Sequence, residues 1–190
     1  MIWREKILRE VLSQIPKVES VLDIGAGQRE VEKILSPNRY VSVDIPTYGD
    51  SDTPNHPDIE ADLNRIERLP FLEGEFQLVV LSHILEHLNP DAMDRIISES
   101  CKVSSRYILV GLPNDLFWLQ RLRVLLGHNI IGVTRYGHHY MFDPDEAEKL
   151  LVKFHGFKVA KRMYVGKVLP PHLKPKLTAY ECYYLLERNL

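Results

Sequence analysis

The sequence predicts an α/β fold with a doubly wound, largely parallel sheet. Three observations carry this. Residues 21–24 are an apolar run around Asp23, followed by Gly25-Ala26-Gly27 and a helical pattern to residue 35, which reads as strand, tight turn and helix. Residues 76–81 are almost entirely apolar, as in a strand buried on both faces of a parallel sheet. Strand-like and helix-like stretches alternate from the start of the chain to Gly111.

The elements follow in order. Ile7, Leu8, Val11, Leu12 and Ile15 recur at helical spacing, so residues 2–15 form an amphipathic helix, which Pro16 stops. Residues 18–24 are the first strand and 28–35 the first crossover helix, with Val31, Ile34 and Leu35 inward. After the Pro37-Asn38 turn, residues 39–43 are the second strand, ending at Asp44. Residues 46–57, rich in Pro, Gly, Asp, Ser and Thr, read as a loop. A short third strand spans 59–63, and the fourth is the run at 76–81. Residues 91–103 form a helix with Met93, Ile96, Ile97 and Cys101 inward, its start marked by Pro90, Asp91 and Asp94. Residues 106–111 are the fifth strand.

Beyond Pro113-Asn114 the alternation stops. A Leu- and Trp-rich helix at 116–126 leads to an irregular stretch at 128–141 and a helix at 143–155, which Asp143 or Pro144 starts and Gly156 ends. Strand-like segments at 157–165 and 178–187, joined by the Pro-rich 169–175, suit an antiparallel hairpin at the sheet edge. The expected organisation is one domain over residues 1–190, with residues 115–141 as an insertion lidding a pocket.

Composition narrows the function classes. Hydrophobic residues make up 45% of the 190, enough for a sizeable core. A net charge of -2 gives no reason to expect nucleic acid as partner. Cys101 and Cys182 have neither metal nor disulfide spacing and suit a reducing compartment. No apolar run is long enough to span a bilayer, and Arg4, Glu5 and Lys6 replace a signal-peptide core, so a cytoplasmic location is expected.

Chemistry concentrates where the first three strands end. Asp44 lies 21 positions after Asp23, at the end of the second strand, where an acid accepts hydrogen bonds from ribose hydroxyls. Asp62 ends the third strand. Three carboxylates on neighbouring strands share the carboxyl edge of the sheet, where ligands bind in such folds. They would repel a pyrophosphate. A cationic ligand with a ribose fits better, which points from a dinucleotide to S-adenosylmethionine.

The chain resembles the class I S-adenosylmethionine-dependent methyltransferases, in particular the methyltransferase type 11 and MetW-like groups. The resemblance rests on residues 21–27, 41–44, 61–63, 69–71, 76–88 with their Leu85-Glu86-His87-Leu88 ending, 110–114 and 139–142 leading to Gly156-Phe157. It implies a Rossmann-like seven-stranded sheet of order 3-2-1-4-5-7-6 with an antiparallel seventh strand. It places Gly25, Ala26 and Gly27 against the methionine part of the cofactor, Asp44 and Ile45 at the ribose, Asp62 at the adenine amine and Leu63 on the adenine ring. Ser82 and His83 would line the methyl-transfer pocket, and Asp23 would face the cofactor's ammonium through water. Two residues depart from the pattern. Arg29 stands where many members have a third glycine, and Gln77 where many have Asp.

The expected activity is methyl transfer to a small-molecule acceptor, with His83 or His139 as general base where the acceptor must lose a proton. An insertion carrying Arg135, Tyr136, His138, His139 and Tyr140 suits a polar or anionic acceptor. The helix with Phe117 and Trp118 reads as core, or as an apolar face for a homodimer or a lipid-like acceptor. Residues 83–87 also match His-x-x-Glu-His, a zinc pattern that needs a long helix. Directly after a buried strand no such helix is expected, so no metal is. Two rival functions stay open. One is a non-catalytic, partner-regulating protein of the MetW-like type. The other is a nicotinamide dehydrogenase, for which the chain is short and offers no Tyr-x-x-x-Lys dyad.

Overall fold

The strands build a seven-stranded sheet of order β3-β2-β1-β4-β5-β7-β6 in a computed structural model that describes residues 2–46, 56–115, 117–129, 137–166 and 175–189. β1 (Ser20–Ile24), β2 (Arg39–Asp44), β3 (Ile59–Glu60), β4 (Phe76–Ser82) and β5 (Ser104–Pro113) pair in parallel. β7 (Glu181–Arg188) runs antiparallel to β5 and to β6 (Phe157–Val165). The expected strand order and the antiparallel last strand are both present.

Alternation along each strand splits the core into two layers. Val21, Leu78, Val80, Leu109 and Leu185 pack on one face with Ile7, Leu8, Val11 and Leu12 of α1 (Ile2–Leu12) and Val31 of α2 (Glu30–Leu35). Leu22, Ile24, Val79, Leu81, Ile108 and Val110 pack on the other with Ile96 and Ile97 of α3 (Pro90–Val103) and Leu150 and Leu151 of the helix over Pro144–Leu151.

Capping chemistry sets the helix starts. The Asn89 side chain accepts from the Ala92 N–H at 2.9 Å and caps α3, with Pro90 and the acidic Asp91 in its first turn. Asp143 accepts from the N–H groups of Asp145 (2.9 Å) and Glu146 (3.0 Å) and starts the helix over Pro144–Leu151, as expected.

The third strand is shorter than its pattern. Asp62 Oδ1 accepts from the Asn64 N–H at 3.0 Å, and the Asp62 carbonyl from Arg65 and Ile66. This local turn competes with the ladder, so β3 stops at Glu60. α1 likewise stops at Leu12, and the Leu- and Trp-rich helix, α4, runs only over Trp118–Leu125. In chain order the helix over Pro144–Leu151 is then α5, and Pro175–Thr178 form a one-turn α6, so the last strand starts at Glu181 rather than at residue 178. No described helix is long and apolar enough to cross a membrane.

Candidate active site

The ends of β1 and β2 meet in one hydrogen-bonded corner. The Gly25 N–H donates to the Val43 carbonyl and the Gly27 N–H to Asp44 Oδ2, both at 2.8 Å. Asp44 Oδ1 accepts from the Ile45 N–H at 2.7 Å. Asp44 therefore holds the glycine turn while standing at the open edge. Gly25 has φ +76°, and a Cβ there would lie 2.7 Å from the Ile84 side chain just past β4. Only glycine permits both the conformation and that approach.

Asp23 takes a different position from the one expected. It is 2% exposed and accepts a 2.6 Å hydrogen bond from the Tyr40 hydroxyl. Burial raises its carboxyl to about 7, with the Tyr40 bond acting in the opposite sense. It braces the turn from inside the fold, in place of the expected contact with a ligand ammonium. Leu63 is buried in the core beside this corner, while Ile45 and Asp62 are exposed. Asp62 Oδ2 lies 3.2 Å from Arg65.

Arg29 adopts the left-handed conformation (φ +58°) that a glycine favours. Its guanidinium reaches Glu32 (2.8 Å) and Asp58 (3.0 Å) and lies over the Tyr40 ring at 5.1 Å. Asp58 in turn accepts from the Ser42 N–H and exchanges a bond with its hydroxyl. Arg29 is thus tied toward β2, neither crowding the turn nor pointing freely into water. Gln77 takes a structural role: its Oε1 accepts the Glu19 N–H at 2.7 Å.

The end of β4 carries a second buried network. His83 has φ +56° and lies between two acids, with Nδ1 3.3 Å from Glu86 and Nε2 3.2 Å from Glu181. Burial opposes its charge, but Glu181 and Glu86 outweigh that and lift the imidazole to about 9. Burial would likewise raise Glu86, yet the adjacent His83 holds it below the ordinary carboxylate range. Tyr183 donates to Glu181 at 3.0 Å, and its hydroxyl lies 3.4 Å from Ser82 Oγ. Both ring nitrogens of His83 face carboxylates, so the ring links Glu86 to Glu181 at the end of β4.

Residues 85–87 form one 3-10 turn, so His83 and His87 do not share the helix that the zinc pattern requires. The His139 N–H donates to the Glu86 carbonyl at 2.8 Å, while its side chain is exposed. His138 turns inward, with Nδ1 3.2 Å from Asp115 and its ring 5.0 Å from that of His87. Burial lowers the pKa of His87, which favours the neutral ring. Leu116, Arg135 and Tyr136 of the expected lid, most of the 46–57 loop and nearly all of the 169–175 linker lie outside the described residues.

Sequence reasoning missed Tyr40, Asp58, Asp115 and Glu181. Tyr40 carried a signal, since parallel register sets Tyr40 and Ser42 beside Val21 and Asp23. Glu181 carried none, because only the turned-back β7 brings it beside β5.

A family model described as a methyltransferase domain matches residues 2–161. Among solved structures, the chain is similar to a SAM-dependent methyltransferase from Archaeoglobus fulgidus, with TM-score 0.67, 15% identity and coverage of 98% of this chain and 94% of that one. It is also similar to a SAM-dependent methyltransferase, possibly a histamine N-methyltransferase by its description, from Thermotoga maritima (TM-score 0.65, 14% identity, 97% and 89% covered). A third is magnesium protoporphyrin IX methyltransferase from Synechocystis PCC 6803 with bound SAH (TM-score 0.60, 15% identity, 98% and 83% covered). A search of curated protein sequences returned no match.

Proposed function

The chain belongs to the methyltransferase-domain family, and from that premise we propose that it transfers the methyl group of S-adenosylmethionine to a small-molecule acceptor. The observation that carries this reading is the corner in which Asp44 holds the Gly27 N–H at 2.8 Å at the open end of β1 and β2. An acid there accepts from both ribose hydroxyls. Gly25, Ala26 and Gly27 present backbone to the methionine part, Ile45 and Leu63 flank the nucleoside, and Asp62, exposed beyond β3, reaches the adenine amine.

The sulfonium is already an activated leaving group, so the protein's task is alignment. Holding an acceptor in line with the methyl carbon supplies several kcal/mol of the barrier. Ser82 and the His83–Glu181–Tyr183 network form the wall on the acceptor side. Equilibrium dialysis with labelled S-adenosylmethionine tests the reading. Binding with a Kd well below millimolar is expected, and no binding at millimolar concentration by folded protein overturns it. Binding without turnover on any acceptor would favour the partner-regulating function instead.

A further inference from the structure

Just past the His83 network, Glu86, His87 and His138 converge so that one ligand atom from each lies within 4.8 Å of the others. We propose that these three side chains hold a divalent transition-metal ion of the zinc, cobalt or manganese type beside the acceptor wall. Two imidazoles and one carboxylate are the donor set that borderline divalent ions prefer, whereas magnesium and calcium seek oxygen-rich shells.

Three further observations favour an ion over simple packing. Glu86 is fully buried, and neither carboxylate oxygen has a hydrogen bond of good geometry among the described residues. Oε1 faces His83, which leaves Oε2 as a buried acceptor. Leaving such a group unsatisfied is costly, and a cation removes the cost. Next, His138 places Nδ1 3.2 Å from the Asp115 carboxylate. That contact selects the tautomer with its lone pair on Nε2, the carboxylate–histidine arrangement that orients metal-binding imidazoles. Finally, the segments carrying the ligands are fastened by main chain. The His139 N–H donates to the Glu86 carbonyl at 2.8 Å, and the Asp115 N–H to the Phe142 carbonyl at 2.9 Å. In a tetrahedral site with bonds of about 2.1 Å the ligand atoms lie about 3.4 Å apart, so a pair at the 4.8 Å limit closes by about 1.4 Å, shared between the two side chains.

Three protein ligands leave coordination positions for water or an acceptor oxygen. A hydroxyl bound there would be oriented and would release its proton to water more readily. As its oxygen bonds to the methyl carbon, the carbon–sulfur bond breaks and its electron pair stays on sulfur. The role in transfer rests on the methyl-transfer reading; the existence of the site does not.

The test strips the full-length protein with EDTA, adds Co2+ or Zn2+, desalts it, and counts metal by mass spectrometry alongside the visible spectrum of the cobalt form. One ion per chain is expected, with d–d absorption. His138→Ala and His138→Gln should each weaken binding by about 100-fold, and Asp115→Asn by about 10-fold. Circular dichroism checks that each variant is folded. Fewer than about 0.2 ions per wild-type chain, or unchanged affinity in either folded His138 variant, overturns the site. S-adenosylmethionine binding by the metal-free protein is measured separately. Its absence would count against the methyl-transfer reading while leaving the metal count to stand.

Discussion

Asp23 in β1 and Glu86 just past β4 are both acids removed from water, and they are stabilised in opposite ways. Asp23 meets a neutral phenol, and burial moves its carboxyl up to about 7. Glu86 meets an imidazole that is itself clamped by a second acid, and it is held ionised. Desolvation acts on both, so what separates them is the group directly against the carboxyl: a neutral phenol for Asp23, with Arg29 the smallest of the influences on it, and the His83 imidazole 3.3 Å from Glu86. The half of the edge proposed to hold the cofactor is built from backbone turns and a neutral brace. The half proposed to hold the acceptor is built from charge.

The most demanding test of that contrast is pH. A carboxyl raised in the folded state binds its proton more tightly there than in the unfolded chain, so its contribution to stability is fully present below about pH 4 and is lost as pH rises through about 7. Tyr40, Glu30, Asp44 and Arg29 are the groups that act on it. Wild-type protein should lose roughly 4 kcal/mol relative to Asp23→Asn between pH 4 and pH 8, as measured by urea denaturation. Parallel curves for the two proteins would show that Asp23 is ionised throughout and would erase the contrast.

Asp44→Ala probes the same half at its open end. It removes the proposed ribose contact and the acceptor for the Gly27 N–H. Cofactor Kd should rise about 100-fold by calorimetry, equivalent to about 2.7 kcal/mol. A change of less than about threefold would move the cofactor away from this corner.

Gly111→Ala strikes the acceptor half alone. A Cβ at Gly111 would lie 2.4 Å from the Tyr183 ring, which is packed in the core. The ring must shift, and its bond to Glu181 shifts with it. A stability loss of about 2 kcal/mol is expected, with cofactor affinity little changed. A large loss of cofactor affinity would mean that the two halves are coupled rather than separate.

The halves also differ in how far they could be read from the sequence. The glycine turn and Asp44 follow from short-range patterns: an apolar run, small residues at alternate positions, an acid at the next strand end; the strand order came only with the resemblance to the methyltransferases. The acceptor half is assembled from β4, β5, β7 and the segment around His138, and pairings that bring distant segments together leave no local trace. Glu86 and His87 stood in a visible motif, but that motif implied a helix, and the 3-10 turn that forms there directs the two side chains differently. Asp23 was legible as a strand-end acid. Its burial was not, because that depends on Tyr40 filling the same face from β2.

Arg29→Gly should have the smallest effect, because opposing terms nearly cancel. The wild-type residue holds a left-handed conformation that costs an L-residue roughly 1 kcal/mol and glycine almost nothing. Against this, the variant loses partly exposed ion pairs to Glu32 and Asp58, each worth about 0–1 kcal/mol. It also loses the contact over Tyr40, worth about 0.5–1 kcal/mol. Net stability should stay within about 1 kcal/mol of wild type by thermal melting, and cofactor Kd within about threefold. The sign of the small residue is informative. Arg29 leans on Tyr40, and Tyr40 donates to Asp23, so losing the guanidinium removes a nearby cation that favours ionised Asp23. The pH at which stability falls should therefore move up slightly in Arg29→Gly. A downward move would mean that Asp23 is governed by something other than the ring and cation stacked beside it.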